Sequence, residues 1–284
     1  MISYNFLASP GQLANQMFKY AALKGLANNL GEEFMIPKSY EILRYKFPLK
    51  VANKLKIIDH KSNQNHLLFK NFKMSTVKNT GYQNTDIFIK EKGFEFDKEL
   101  FNCKDSNFDI WGFFQSEKYF IEIRNEILED FQFKNNISKK TKKIFEQFND
   151  PVSLHVRRGD YVTQPDWNPL SLTYYEKSLN YFDKNQQIVI FSDDVSWCKE
   201  QNIFKNPNFI FADQYTKSED TLDLSLMTMC KYHIIANSSF SWWGAWLSTQ
   251  EKVFAPKDWF KGSKKYSHYN TKDLLPEKWI KIEN

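Results

Sequence analysis

The sequence predicts an α/β protein whose C-terminal half is a parallel, doubly wound sheet, and three observations carry that prediction. From Val152 onward, strand-like runs rich in Val, Ile and Phe alternate with helix-like segments, the order that builds parallel sheets. At 284 residues and 42% hydrophobic residues, the chain can bury a sizeable core as two domains or one large one. No repeat, low-complexity tract or Pro/Gly/Ser linker divides it, so a boundary has to be read from a change of pattern.

Ile2 to Ala8 reads as a strand. Ser9-Pro10-Gly11 turns the chain into a helical run from Gln12 to Asn29, where Leu13, Met17, Tyr20, Ala21, Ala27 and Leu30 roughly keep one face and Gly31 is the stop. A strand follows at Glu33 to Ile36. From Lys38 to Asn107, Lys- and Asn-rich stretches separate short apolar pieces such as Leu55 to Ile58 and Ile87 to Phe96, and no function is placed there. Phe108 to Phe114 reads as a buried strand, Glu117 to Phe133 and Ser138 to Phe148 as helices, and Asn149-Asp150-Pro151 as a turn. The boundary is set near Phe148, giving lobes of residues 1–148 and 149–284. Strands are then expected at Val152 to Val156, Gln187 to Ser192, Phe209 to Ala212, Tyr232 to Ala236 and Lys252 to Ala255. Helices fill the gaps at Leu172 to Lys184, Val195 to Gln201, Glu219 to Lys231 and Ser239 to Ser248.

The 39 basic and 34 acidic residues are spread along the chain rather than gathered into a stripe, which argues against nucleic acid as a partner. A net charge of +5 still suits anionic ligands or anionic lipid. Cys103, Cys198 and Cys230 are odd in number and widely spaced, fitting neither a disulfide framework nor a zinc pattern, and the expectation is a reduced intracellular protein. The first residues have no basic start, long apolar run or small-residue cleavage site, and no run approaches the roughly 20 apolar residues that span a bilayer. A soluble or at most peripheral protein is expected.

Only four of the basic residues are arginines, Arg44, Arg124, Arg157 and Arg158, and half of them form one dipeptide. In a lysine-rich chain this marks a site that needs the planar guanidinium fork, which grips phosphate or carboxylate with two hydrogen bonds. The dipeptide lies in His155-Val156-Arg157-Arg158-Gly159-Asp160-Tyr161, at the carboxyl end of an expected strand, where doubly wound sheets bind ligands. Strand alternation puts His155 and Arg157 on one face and Arg158 on the other. Arg157 is therefore expected to face phosphate, with Arg158 held by Asp160; the competing reading is an Arg/Asp pair that only fastens a strand end.

A second constellation, Asn237-Ser238-Ser239-Phe240-Ser241-Trp242-Trp243-Gly244-Ala245-Trp246, follows the strand at Tyr232. Hydroxyls and free N–H groups at a helix start make an anion site, and a serine cap followed by aromatic core explains the same residues. The third is Ser192-Asp193-Asp194, also at a strand end, where a carboxylate can accept protons from the edge of guanine or cap the following helix. Taken together, the three strand ends describe a nucleoside diphosphate site better than any one of them does. There is no P-loop, G-x-G-x-x-G, G-x-S-x-G or H-E-x-x-H, and no Asp-x-Asp pair to hold a diphosphate through a metal. Arginine would then replace metal as the charge stabiliser. Arg158-Gly159-Asp160 also spells an adhesion tripeptide, but no export signal accompanies it.

The segment from His155 to Tyr161 resembles the H-x-R-R-x-D motif of fucosyltransferases that use GDP-fucose. Gly11-Gln12-Leu13-Ala14-Asn15-Gln16-Met17-Phe18-Lys19-Tyr20-Ala21, Trp111-Gly112-Phe113-Phe114-Gln115-Ser116-Glu117-Lys118-Tyr119-Phe120 and the Ser/Trp segment extend the likeness to the bacterial form of the α-1,2-fucosyltransferases, glycosyltransferase family 11. The family's first loop usually reads G-G-L-G-N-Q, and this chain departs from it at Pro10-Gly11-Gln12-Leu13-Ala14-Asn15-Gln16.

The resemblance implies a GT-B-like fold: two Rossmann-like lobes with a cleft between them, acceptor on the N-terminal lobe and GDP-fucose on the C-terminal one. It implies inverting, metal-independent transfer of L-fucose to a galactoside 2-hydroxyl, with no cofactor. Arg157 is expected to be catalytic at the β-phosphate. Donor binding is expected from His155 and Asp193 or Asp194 near guanine, from Arg158, and from Asn237, Ser238, Ser239 and Ser241 near the phosphates, with Asp160 in support. Asn15, Gln115 and Glu117 are the acceptor-side candidates, and no general base is assigned, although Asp160, Asp166 and Glu117 are weighed. The expected partners are GDP-fucose and a β-galactoside oligosaccharide, free or lipid-linked, such as an O-antigen precursor, in the cytoplasm near the inner membrane. The competing readings are another GDP-sugar or linkage, a catalytically silent carbohydrate-binding relative, and an adhesive protein.

Overall fold

In the computed structural model, which describes residues 1–8, 11–37, 67–85, 87–105, 107–164 and 166–284, the chain divides into residues 1–134 with 272–274 and residues 135–271 with 275–284. The boundary expected near Phe148 therefore moves back to Lys134. The helix α4, Asn135–Phe145, causes the shift, because its Ile144 joins Val189, Phe191, Leu226 and Met227 in a core of the second unit. The Ser9-Pro10 part of the first turn, Arg44 and the apolar piece at Leu55 to Ile58 lie outside the described residues.

The first unit is built on four parallel strands, β1 (Ile2–Ser3), β2 (Phe34–Met35), β3 (Phe88–Lys90) and β4 (Phe108–Trp111), in the order β2-β1-β4-β3. Strand β1 is shorter than expected because the Asn5 N–H goes to the Asp109 carboxylate (2.8 Å) and the Leu7 N–H turns back to the Tyr4 carbonyl (3.1 Å). Helix α1 (Leu13–Leu30) ends at left-handed Gly31 and is buried at every position from Leu13 to Ala27 except Asn15. The buried positions include Gln16, Lys19 and Lys24 as well as the apolar residues, so the single face read from the sequence is corrected to burial on all sides. After a short helix α2 (Leu67–Asn71), the expected helix from Glu117 to Phe133 is broken into 3₁₀ turns at Glu117–Tyr119 and Ile121–Ile123 and an α-helix, α3 (Arg124–Asp130). The break is at Phe120, whose φ of −144° is not helical and whose ring packs on Phe18. Buried Asp130 at the end of α3 is held by Lys24 (2.8 Å), Tyr20 and Thr76.

The second unit carries six parallel strands in the order β10-β9-β8-β5-β6-β7. They are β5 (Val152–Val156), β6 (Ile188–Ser192), β7 (Phe209–Phe211), β8 (Tyr232–Ile234), β9 (Lys252–Pro256) and β10 (Ile280–Ile282). The first five were expected; β10 was not, and it extends one edge by pairing with β9. The helices are α5 (Gly159–Thr163), α6 (Leu172–Leu179), α7 (Val195–Glu200), α8 (Asp213–Thr216), α9 (Asp220–Met229) and α10 (Ser239–Trp246). Alternate residues serve opposite faces: Ile188 and Ile190 pack with Val152, Leu154 and Tyr174, whereas Val189 and Phe191 pack with Leu226 and Met227. A sheet covered on both sides is the doubly wound arrangement. Because β5 has β6 on one side and β8 on the other, the winding reverses between β5 and β8, and ligands bind at such reversals.

Candidate active site

Val156 pairs with Ser192, so Arg157 and Asp193 leave the sheet side by side. The Arg157 guanidinium meets Asp193 Oδ2 at 2.8 Å and Asp160 Oδ1 at 2.5 Å, and lies 5.2 Å from the centre of the Tyr161 ring. Arg158 donates from its backbone N–H to Asp193 Oδ1 (2.8 Å) and from Nε to Asp194 Oδ2 (3.0 Å), with its guanidinium 3.7 Å over the Trp197 ring. The expected pairing is thus reversed: Asp160 holds Arg157, and Asp194 holds Arg158. Strand alternation stops at Val156, because Arg158 already caps α5 with φ −133° and ψ −63°. From the first turn of that helix, Asp160 reaches back three residues to Arg157.

The side chains of Arg157, Asp160 and Asp193 are 31%, 52% and 27% exposed. Ion pairs that water reaches this well contribute only about 0–1 kcal/mol each, so a phosphate can displace either carboxylate at little cost. Gly159 lets Asp193 approach closely, since a Cβ there would push the Asp193 Oδ2 aside. Of the two expected roles for the aspartate pair, the cap falls to Asp194, which accepts the Trp197 N–H at 3.2 Å.

Across the reversal, both readings of the Ser/Trp segment hold, for different residues. Trp242, Trp243 and Trp246 have no exposed surface and are core. Ser238 caps α10 by accepting the Phe240 N–H (3.3 Å), and Ser241 turns its hydroxyl back to the carbonyls of Ala236 and Ser238. Ser239 is half-buried, with no hydrogen-bond partner for its hydroxyl among the described residues. Asn237 donates to the carbonyls of Asn168 (3.0 Å) and Trp259 (3.2 Å), and its own carbonyl receives the Tyr161 hydroxyl (3.0 Å).

His155 packs its ring 5.7 Å from Phe240, and burial, then the Arg157 charge, push its pKa down to about 3. Two buried atoms at this reversal, His155 Nδ1 and Asn237 Oδ1, lack partners among the described residues. Buried polar atoms are usually paired, so such orphans suit a ligand. Beside them, a pocket of about 370 Å³ is lined by Arg158, Tyr161, Gln164, Trp167 and Asn168, among others. Tyr161 and Trp167 stack at 5.2 Å and 15°. Trp167 was missed by sequence reasoning, which weighed only its neighbour Asp166, because a lone tryptophan in a loop carries no motif.

The acceptor-side candidates lie in the first unit. Asn15 Oδ1 accepts Gln115 Nε2 at 2.9 Å, while Glu117 stands within electrostatic reach of Arg124. In the second unit, Asp166 faces Lys265 at 3.7 Å. Sequence reasoning also missed Glu91, which sits between two lysines in the stretch where no function was placed. It accepts the N–H groups of Phe113 (2.7 Å) and Phe114 (2.9 Å). Burial pushes its pKa up to about 7 and that of Lys19 down to about 7, each opposed by the charge of the other.

The model of Glycosyl transferase family 11 matches residues 3–283. Among similar proteins, the Alpha-1,2-colitosyltransferase of Escherichia coli is 33% identical over 298 residues, 96% of this chain and 97% of that protein. The O-antigen biosynthesis glycosyltransferase WbnK of Escherichia coli is 31% identical over 311 residues, 96% and 98% of the two chains. Galactoside alpha-(1,2)-fucosyltransferase 2 of Sus scrofa is 22% identical over 289 residues, 96% and 78%. The fucosyltransferase NodZ from Bradyrhizobium aligns with a TM-score of 0.50 at 11% identity, over 87% of this chain and 93% of its own. A mutant of Arabidopsis thaliana FUT1 in complex with GDP aligns with a TM-score of 0.50 at 10% identity, over 89% and 69%. At these identities the two structures establish the fold, a GT-B-like α/β class with two Rossmann-like lobes.

Proposed function

The chain belongs to glycosyl transferase family 11, and from that membership we propose that it is an inverting galactoside α-1,2-fucosyltransferase that uses GDP-β-L-fucose and needs no metal. The observation that carries the reading is the reversal between β5 and β8, where the ion pairs of Arg157 are with displaceable carboxylates near the start of α10. A diphosphate there takes the Arg157 fork and the free N–H groups at the helix start, beside Ser238 and Ser239. His155 and one of Asp193 and Asp194 serve the guanine edge, Arg158 lines the donor site, and Asn237 and Ser241 shape the turn into α10.

In this reaction the galactose 2-hydroxyl attacks C1 of fucose opposite the GDP, the bond from C1 to the β-phosphate oxygen breaks, and the hydroxyl proton leaves to water, so that the fucoside, GDP and a proton are the products. Negative charge grows on that phosphate, where Arg157 and the dipole of α10 stabilise it. Asp160 keeps Arg157 aimed until the donor arrives. Asn15, Gln115 and Glu117 serve the acceptor, a β-galactoside on a surface-glycan precursor, lipid-linked or free. The similarity to an O-antigen biosynthesis glycosyltransferase supports that acceptor class, and the reading sets the enzyme in the cytoplasm, near the inner membrane. Among the described residues no helix is long and apolar enough to cross a membrane.

A second reading keeps the linkage and changes the donor to another GDP-sugar, favoured by the similarity to a colitosyltransferase. Incubation with GDP-fucose and a panel of other GDP-sugars, with EDTA present and lactose and other β-galactosides as acceptors, separates the two when the product linkage is read by NMR. An α-1,2-fucosylated product is expected. If GDP-fucose neither reacts nor raises the melting temperature while another GDP-sugar does, the donor is reassigned; if none does, the diphosphate site is refuted.

A further inference from the structure

The first sheet has a reversal of its own, between β1 and β4, because β1 has β2 on one side and β4 on the other. Three strands deliver chemistry to its carboxyl end. The segment after β1 leads into α1 with Asn15, the turn after β4 carries Gln115, and β3 runs out into Glu91. Asn15 and Gln115 close over the reversal through their 2.9 Å amide bond.

The turn that presents Gln115 is not self-supporting. Phe114 has φ +52°, a left-handed conformation that a bulky side chain rarely adopts. Beyond Trp111 the strand has ended, so the N–H groups of Phe113 and Phe114 have no ladder partner. The Glu91 carboxylate takes both, one on each oxygen. Gly112 leaves room for the Glu91 stem, since a Cβ there would collide with it, and the Gly112 N–H is taken by the Tyr4 hydroxyl at 2.9 Å. Lys19, buried on α1, supplies the opposite charge and lies 5.5 Å from the ring centres of Tyr4 and Phe113.

We infer that Glu91 is the positioning residue of an acceptor-sugar subsite: it locks the 112–115 turn so that the paired amides of Gln115 and Asn15 meet the hydroxyls of a pyranoside. Primary amides offer a donor pair and an acceptor in one plane, which suits neighbouring sugar hydroxyls. Both side chains are half-buried, ordered yet reachable. The inference rests on the transferase reading for its substrate class.

The test uses the full chain and the variants Glu91→Ala, Glu91→Gln and Gln115→Ala, with two readouts. Steady-state kinetics with GDP-fucose and lactose separate acceptor KM from kcat and donor KM. Ligand-detected NMR of lactose in the presence of GDP reads binding without turnover. Loss of a hydrogen bond of about 1.4 kcal/mol corresponds to about tenfold in affinity, so Glu91→Ala and Gln115→Ala should each raise acceptor KM about tenfold or more and weaken the lactose signal, with donor KM unmoved. Glu91→Gln, which keeps one carbonyl acceptor, should recover part of the loss. A fall in kcat at constant acceptor KM in the Glu91 variants would overturn the inference, as would a Gln115→Ala chain that binds lactose like wild type. If wild type binds lactose but turns over no GDP-sugar, the transfer reading fails while the subsite stands; if wild type binds no lactose, the subsite falls. Should Glu91→Ala not fold, Gln115→Ala and Glu91→Gln still decide.

Discussion

Arg157 is contested by two carboxylates in the free protein, and the proposed reaction turns on a phosphate winning that contest. A lysine there keeps the charge but loses the fork, so Arg157→Lys should lower kcat with GDP-fucose by about 10²–10³, the usual effect of removing one transition-state donor. A stopped assay under saturating substrates checks it. His155 and His233 make a prediction about acid. Both are pushed from an ordinary 6.5 down to about 3, mainly by burial. Between those values the unfolded chain binds protons that the folded chain refuses, so these residues favour folding at higher pH and their contribution is lost as pH falls from about 6.5 toward 3. Imidazole NMR should show two rings that do not titrate between about pH 8 and about pH 5. The arginine dipeptide was legible because arginine is scarce in this chain, but its partners were not. Alternation describes a strand only as far as the strand extends, and Arg158 is already outside it. Glu91 left no mark in the sequence because its partners are backbone N–H groups, which every residue type carries.

The C-terminal strands could be read because strands buried on both faces are continuous apolar runs. In the N-terminal half β1 and β2 were placed, though longer than the two residues each that pair, whereas three-residue β3 is too short to show a period, and β10 carries exposed Lys281 between its isoleucines. Helix α10 combines a serine cap with three buried tryptophans, so its start is held rigidly by its body. Trp242 stacks on Trp246 and touches Trp279, and Trp242→Ala should cost about 3–5 kcal/mol in urea unfolding, as large core truncations do. Gly159→Ala acts differently: its methyl displaces Asp193 and loosens Arg157, so GDP affinity should fall by more than stability does, as calorimetry and melting of the same sample would show.

Two sheets of different size each gather polar side chains at a reversal of winding, between β1 and β4 in the first and between β5 and β8 in the second. Alternating elements in the second half made the fold class legible, whereas the boundary was misplaced by one helix because amphipathic periodicity does not say which core a helix joins. Hydrogen exchange should reflect the proposed division of labour: GDP ought to slow amides concentrated at 157–160, 193–195 and 238–241, the three strand ends of the second unit.

Residues 272–274 group with the first unit although the main run of the second unit, residues 135–271, precedes them. Asp273 takes the Ser116 hydroxyl on its carbonyl (2.6 Å) and pairs its carboxylate with Lys118 (2.7 Å) and with the Phe96 N–H (3.0 Å). On the ribosome, the amino-terminal unit therefore waits until residues 135–271 have been made before its last contacts close. Folding of the first-made unit is thereby tied to synthesis of the second unit rather than to that of its own residues 1–134 alone.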